Sequence, residues 1–343
     1  MRTTRTHFTA TLCTVLAIVL PRAITAAQTP STPATMKAVR VEKFGGPEVL
    51  ILADIAKPTP SAGEVLIRVE AAGVNPVDWK LRQGLMGARG PQPPFIAGYD
   101  VSGVVESAAP DVKDFKPGDE VFAYLPIGRG GGYAEFVAVA ATAIAKKPAK
   151  ADHLAAAGVP LAGLTAWQAL FEQASLQPGQ SVLIHAGAGG VGHFAVQFAK
   201  AKRAKVYATA SAANQDFLKK LGADVAIDYK TQKFEEVAKD MDLVLDMIGG
   251  DTLARSYGIV KKGGTLVSIV AMPDQAKCKE LGITGKVFLV HPDGKQLAEI
   301  AALIDEGKVV PKVDSTFTLS EAGKAQEKSK EGRAVGKIVL KVR

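Results

Sequence analysis

From Met36 to about Ala155 the apolar residues fall in short β-rich runs separated by Gly/Pro turns. The clearest runs cover residues 37–41, 64–71, 101–107 and 135–139. In the turn Lys116-Pro117-Gly118-Asp119, proline presets φ and glycine supplies conformational freedom. Runs of this length and spacing predict a compact, mostly antiparallel or barrel-like domain. Near Pro160 the rhythm changes. Apolar strands are expected at 181–186, 205–210, 225–229, 243–248, 265–270 and 286–290. Helices are expected between them at 191–202, 214–221, 234–239 and 251–260. In the first helix, Val191, Phe194, Ala195, Phe198 and Ala199 fall at i, i+3, i+4, i+7 and i+8, which is one face. Such alternation implies parallel strands with helices on both sheet faces. The C-terminus reverts to β character, with residues 337–342 as the final strand.

Ahead of the first strand the pattern is of another kind. Residues 1–7 are basic, and the apolar run FTATLCTVLAIVL (8–20) ends at Pro21. Small residues follow, and Thr25-Ala26-Ala27 suits cleavage before Gln28. This is the three-part plan of a secretory signal over residues 1–27. The run is too short for a comfortable membrane span, so no stable span is expected once the leader is removed. Two other readings stand beside it. The segment is acid-free, as organellar transit peptides are, although its unbroken apolar run argues against that; or translation begins at Met36. Residues 28–35 read as a linker in each case. Location stays open: periplasmic or secreted if the leader is used, cytoplasmic if the chain starts at Met36.

Composition narrows the class. At 343 residues the chain has room for about two domains, and 47% hydrophobic with 22% charged residues is globular rather than disordered. The formal charge of +8 comes without a Lys/Arg tract interleaved with aromatics, so no nucleic-acid partner is expected. There are two cysteines, Cys13 and Cys278, and five histidines, none paired at ligand spacing. No metal is expected.

The strongest motif is VLIHAGAGGVGHFAVQFAK (182–200). Gly187, Gly189 and Gly192 form G-x-G-x-x-G directly after an apolar strand and at the start of an amphipathic helix. The first permits the tight turn, the second lets the backbone approach a pyrophosphate, and the third allows close helix–strand packing. Gly190 and Val191 complete the loop, and the helix N-terminus offers free N–H groups to phosphate. Cofactor choice is read at the end of the second strand, KVYATAS (205–211). NAD-binding versions place an acid there, whereas this chain has Ala210 and Ser211, and its first acid after Gly192 is Asp216. NADPH is therefore favoured, with Ser211, Asn214 and Tyr229 available to its 2′-phosphate.

At this point the sequence resembles the zinc-independent quinone oxidoreductase (zeta-crystallin-like) and alkenal/enone reductase branch of the medium-chain dehydrogenase/reductase superfamily. The resemblance runs from Met36 to Arg343. It is carried by AAGVNPVDWKLRQG (71–84), IAGYDVSGVVE (96–106), AAAGVPLAGLTAWQAL (155–170), the glycine-rich segment and GKIVLKV (336–342). It implies an α/β fold in which a Rossmann doubly wound parallel-sheet domain (159–295) is inserted in a GroES-like β-rich catalytic domain (36–158, with a return at 296–343). It also implies a homodimer. Zinc-dependent members use a cysteine in the segment matching Asn75 to Asp78 and a histidine near Gly98 to Asp100; here there is no such cysteine, and Tyr99 takes the histidine position.

The implied activity is hydride transfer from NADPH to a small-molecule quinone or α,β-unsaturated carbonyl. There charge spreads onto one oxygen, and a single cation or donor suffices. The resemblance points to Lys80 for that role, with an ordinary surface lysine as the alternative. Asn75 would shape the nicotinamide end, against simple loop capping. Tyr99 would touch substrate or fill the core. Thr165 would lie near the nicotinamide or pack its helix; Ile248 would border the cofactor cleft; Gly336 and Lys337 would reach the cofactor. His185 and His193 read as satisfied structural residues. A reading from another class also stands: a non-catalytic NADPH-binding sensor or structural protein on the same fold.

Overall fold

Strands buried on both faces need nearly unbroken apolar sequence, and Ser181–Ile184, Lys205–Ala210 and Met241–Asp246 supply it. They form the middle of a six-stranded sheet in a computed structural model that describes residues 1–10 and 34–343. The order is Val225–Asp228, Lys205–Ala210, Ser181–Ile184, Met241–Asp246, Val260–Ser268, Thr284–Val287, and every neighbouring pair is parallel. Numbered along the chain this is 3-2-1-4-5-6, the doubly wound dinucleotide-binding order. The winding reverses between Ser181–Ile184 and Met241–Asp246, so a crevice opens at the carboxyl ends of those two strands.

Helix Gly192–Ala201 makes the first crossover, and from Gly192 to Ala199 every side chain is buried. Two expected elements shift. The helix expected over 251–260 ends at Ser256, a 3₁₀ turn Tyr257–Ile259 follows, and Val260–Ser268 is already strand. Lys261-Lys262-Gly263-Gly264 reads as a turn in sequence, yet the sheet carries it as an irregularity in register, with Gly263 at φ +80. The last parallel strand is Thr284–Val287 rather than 286–290.

The second sheet runs Val313–Thr318, Lys337–Lys341, Glu64–Val74, Asp100–Ala108, Glu120–Tyr124, Ile144–Lys146, with Phe136–Ala140 also paired to Glu64–Val74. Lys337–Lys341 lies antiparallel to Ala71 through Val74 and parallel to Val313–Thr318. That parallel pair needs a crossover, and helix Ala322–Lys330 provides it. A smaller sheet joins Leu50–Ala56, Thr35–Val41 and Phe95–Ile96. The architecture is the expected α/β class, with a parallel sheet set within the sequence of a β-rich part.

Helix Gly294–Asp305 shows how one segment is held. Asp293 caps it by accepting from Lys295 N (2.8 Å) and Gln296 N (3.0 Å), a contribution of about 1 kcal/mol. Leu297, Ile300 and Ile304 are buried, each contributing roughly 1.5–3 kcal/mol. No helix among the described residues is long and apolar enough to cross a membrane. Of the expected leader and linker, residues 11–33 lie outside the described residues.

Candidate active site

The glycine loop leaves strand Ser181–Ile184 at the point where the sheet winding reverses. Ala186 takes φ +51, which turns the chain; Gly187 N donates to Thr209 O (2.9 Å) and Gly189 N to Ala186 O (2.9 Å). A Cβ on Gly187 would meet Ala208 Cβ at 2.9 Å, whereas one on Gly189 would meet nothing nearer than Ala186 O at 3.3 Å. Packing thus excludes a side chain at Gly187, while the space over Gly189 is open to a ligand.

At the end of strand Lys205–Ala210, Asn214 Nδ2 donates to Ser211 Oγ (3.3 Å) and Tyr229 is exposed. Gln215, which the sequence reading passed over, donates from Nε2 to Ala210 O and Ser211 O and so fixes this corner. Across the crevice, Asp246 Oδ1 accepts from Ile248 N (3.0 Å) and Gly249 N (2.9 Å), which sets the turn bearing exposed Ile248.

Asn75 caps helix Pro76–Arg82. Its N–H donates to Asp78 Oδ2 (2.6 Å), and Tyr133 OH donates to the same oxygen (2.9 Å). Asn75 Nδ2 donates to Asp100 Oδ2 (2.8 Å), and Lys337 Nζ donates to Asn75 Oδ1 and to Val74 O (3.1 Å). Asp78, Asp100 and Lys337 are all buried. Burial raises the Asp78 carboxyl to about 7, against the pull of the Asn75 N–H and the Tyr133 hydroxyl. Burial also raises Asp100 to about 6, opposed by Lys337 and Asn75, and it lowers Lys337, opposed by the two carboxylates. A buried cluster of two acids and one base is close to neutral when one acid keeps its proton, and Asp78 is the better placed to keep it.

A pH dependence follows. Folded Asp78 retains its proton where the unfolded chain, near 3.8, has lost it, so folding takes up a proton between about 4 and 7. Its stabilising contribution is complete below about 4 and is lost as pH rises through about 7. Asp78→Asn, which keeps an acceptor for Asn75 and Tyr133, should flatten that fall, on the order of a few kcal/mol. Urea midpoints of both proteins at pH 5 and pH 7.5 check this, and equal slopes would refute it.

Residues 61–149 match the alcohol dehydrogenase GroES-like domain and residues 221–340 match the zinc-binding dehydrogenase family. A chloroplastic quinone-oxidoreductase, QR1 of Triphysaria versicolor, is 35% identical over 324 residues, covering 89% of this chain and 98% of that protein. The chain belongs to the medium-chain dehydrogenase/reductase superfamily. The chloroplastic NADPH-dependent alkenal/one oxidoreductase of Arabidopsis thaliana is 36% identical, covering 90% of this chain and 80% of that one. The solved quinone oxidoreductase of Coxiella burnetii superposes with a TM-score of 0.83 at 37% identity, covering 90% of this chain and all of that one.

Within this medium-chain dehydrogenase/reductase chain the remaining candidates are placed as follows. Lys80 is half-buried on helix Pro76–Arg82, its ammonium 5.6 Å from the centre of the Trp79 ring. Thr165 is buried and donates from Oγ1 to Leu161 O (2.7 Å) within its helix. Tyr99 is 1% exposed in the core with Phe122 and Tyr124, and its hydroxyl has no hydrogen-bond partner among the described residues. In this structure Tyr99 fills the core. Gly336 N donates to Ala188 O (3.0 Å) in the glycine loop.

His185 and His193 are buried and, because burial disfavours the charged ring, lowered to about 4. They bond Ser256 Oγ (3.0 Å) and Gly189 O (2.9 Å) respectively. Burial raises the thiol of Cys278, which makes it a poor nucleophile. Among the described residues no three His, Cys, Asp or Glu side chains form a set able to hold a metal ion.

Proposed function

We propose that the chain is an NADPH-dependent reductase of quinones or α,β-unsaturated carbonyls that works without zinc. The observation that carries this reading is the glycine loop at the reversal of a 3-2-1-4-5-6 sheet, with Lys337 tying Asn75 to the strand whose preceding residue bonds that loop. The residues present fit a dinucleotide. The open space over Gly189 admits a pyrophosphate, the N-terminus of helix Gly192–Ala201 favours its charge, and Ile248 borders the same crevice. NADPH, when bound, supplies the hydride.

Ser211, Asn214 and Tyr229 are proposed to hold the 2′-phosphate; strand Lys205–Ala210 itself ends without a carboxylate, and Asp228 beside Ala210 accepts from Lys230 N and Thr231 Oγ1. Asn75 and Thr165 are proposed to border the nicotinamide. Lys80 is proposed to stabilise the oxygen on which charge develops, with solvent delivering the last proton. The absence of a cysteine from Asn75 to Asp78, and Tyr99 at the histidine position, support the zinc-free reading. The names of the quinone and NADPH-dependent alkenal/one oxidoreductase relatives support the substrate class and cofactor.

The test follows oxidation of NADPH and, separately, NADH by the purified protein with quinones, 2-alkenals, cyclic enones and simple ketones. Turnover of a conjugated acceptor with NADPH preferred is expected. Binding of NADPH without turnover of any conjugated acceptor would overturn the reading. Ser211→Asp should invert the cofactor preference, weakening NADPH at least about tenfold because a carboxylate then faces the 2′-phosphate. Titration of both nucleotides measures it.

A further inference from the structure

Lys337 is 4% exposed, and its ammonium is spent on a distant segment. Nζ donates to Val74 O (3.1 Å) and to Asn75 Oδ1. Asn75 Nδ2 passes the contact to Asp100 Oδ2 (2.8 Å), and Asp100 Oδ1 accepts from Leu161 N (2.8 Å), in the first turn of the helix bearing Thr165. One residue earlier, Gly336 N holds Ala188 O of the glycine loop (3.0 Å). The lysine stem runs beside that loop: a Cβ built on Gly190 would lie 3.3 Å from Lys337 Cδ. The glycine loop, the Asn75 turn and the Thr165 helix therefore converge on one stretch of the last strand.

The chemistry of the three side chains leaves one arrangement. An ammonium only donates, so it must face the oxygen of the Asn75 amide; a carboxylate only accepts, so Asp100 must face the nitrogen. With Lys337 missing, Asp100 alone would hold the amide, and its oxygen would lose the donor that ties it to the last strand. We infer that Lys337 is a positioning residue, which fixes the orientation of Asn75 against the glycine loop and acts through Asn75 instead of binding the dinucleotide. This rests on the reading of the glycine loop and the Asn75 turn as two walls of the cofactor crevice.

The charged groups facing Lys337 are Asp100 and Asp78, with Asn75 and Tyr133 as their neutral partners. Lys337→Met removes the donor but leaves Asp100 without its cation. The charge-balanced pair Lys337→Met with Asp100→Asn, read against Asp100→Asn alone, covers the case in which the single variant does not fold.

The expected result is at least a tenfold fall in kcat, with the Kd for NADPH within threefold of the parent. In an Asn75→Ala background the same substitution should cost less than a further twofold. Affinity for NADPH falling in step with kcat, or losses that multiply in the Asn75→Ala background, would overturn the inference. Should the parent protein turn over no acceptor, the proposed function fails separately. The inference is then decided by hydrogen exchange of the NADP⁺-bound protein. Faster exchange at the Asn75, Asp78 and Leu161 amides in Lys337→Met supports it, and unchanged exchange at all three overturns it.

Discussion

Gly192→Ala should abolish measurable dinucleotide binding and destabilise the fold, whereas Gly189→Ala should weaken binding at nearly unchanged stability. A Cβ at 192 would stand 2.2 Å from Ala186 O and 2.7 Å from Gly187 Cα. Both are backbone atoms of the turn in which Ala186 already takes φ +51, so neither can swing aside. Overpacking of this kind costs roughly 1–3 kcal/mol or more. At Gly189 the new methyl meets only Ala186 O at 3.3 Å, a contact the loop absorbs by a shift of a few tenths of an ångström. Yet it fills the space that the pyrophosphate needs. Losing about 2 kcal/mol of that contact weakens binding roughly 30-fold. NADPH titration with urea unfolding separates the two effects, and equal stability losses for the two variants would refute the distinction.

Lys80→Met should lower kcat about 100-fold while leaving thermal stability almost unchanged. Removing one preorganised donor from a developing oxyanion costs about 10²–10³ in rate. The stability cost is small for a different reason. Lys80 is half-buried, it lies over Trp79, and methionine retains most of the stem that packs there. Steady-state kinetics with the best acceptor from the panel, beside a melting curve, decides the matter. Unchanged kcat would make Lys80 the ordinary surface lysine that stands as the alternative in the sequence.

Much of the fold was legible because it depends on local pattern. The strand Lys205–Ala210 has the bounds its apolar run suggests, and the first crossover helix is set by Val191 through Ala199 and by Gly192 at its start. Where long-range pairing overrides local signal, the reading slipped. Gly263 and Gly264 look like a turn, but the pairs Met241–Val260 and Leu243–Thr265 flank them, and the bond from Gly263 N to Gly282 O helps keep them within Val260–Ser268. Helix Gly294–Asp305 was legible from Leu297, Ile300, Ala301 and Ile304, with Asp293 as its cap, and was simply passed over.

The candidate site divides in the same way. The glycine loop announces itself because its spacing encodes its geometry. Asp78, three residues after Asn75, is placed by sequence to brace that turn, but the roles of Asp100 and Tyr133 are not legible, since nothing local in sequence brings residues 75, 100, 133 and 337 together. Only the pairing of the C-terminal strand with Glu64–Val74 does so. Lys337 was singled out from a motif, but its bond to Asn75 required the sheet. A buried lysine beside two carboxylates leaves no trace in composition.

That pairing also dictates timing. Val74 and Ile338 are partners in register although 264 residues separate them along the chain. During synthesis at about 5–20 residues per second, the stretch from Ala71 to Val74 waits roughly 13–50 s for its neighbour to be made. Throughout that interval the nascent protein carries an unpaired strand edge and an Asn75 amide that Lys337 has yet to hold. A chain cut short before Gly336 lacks the strand that ties the glycine loop to Asn75. The Asn75 turn therefore gains its fixing contact only when the last strand has been made.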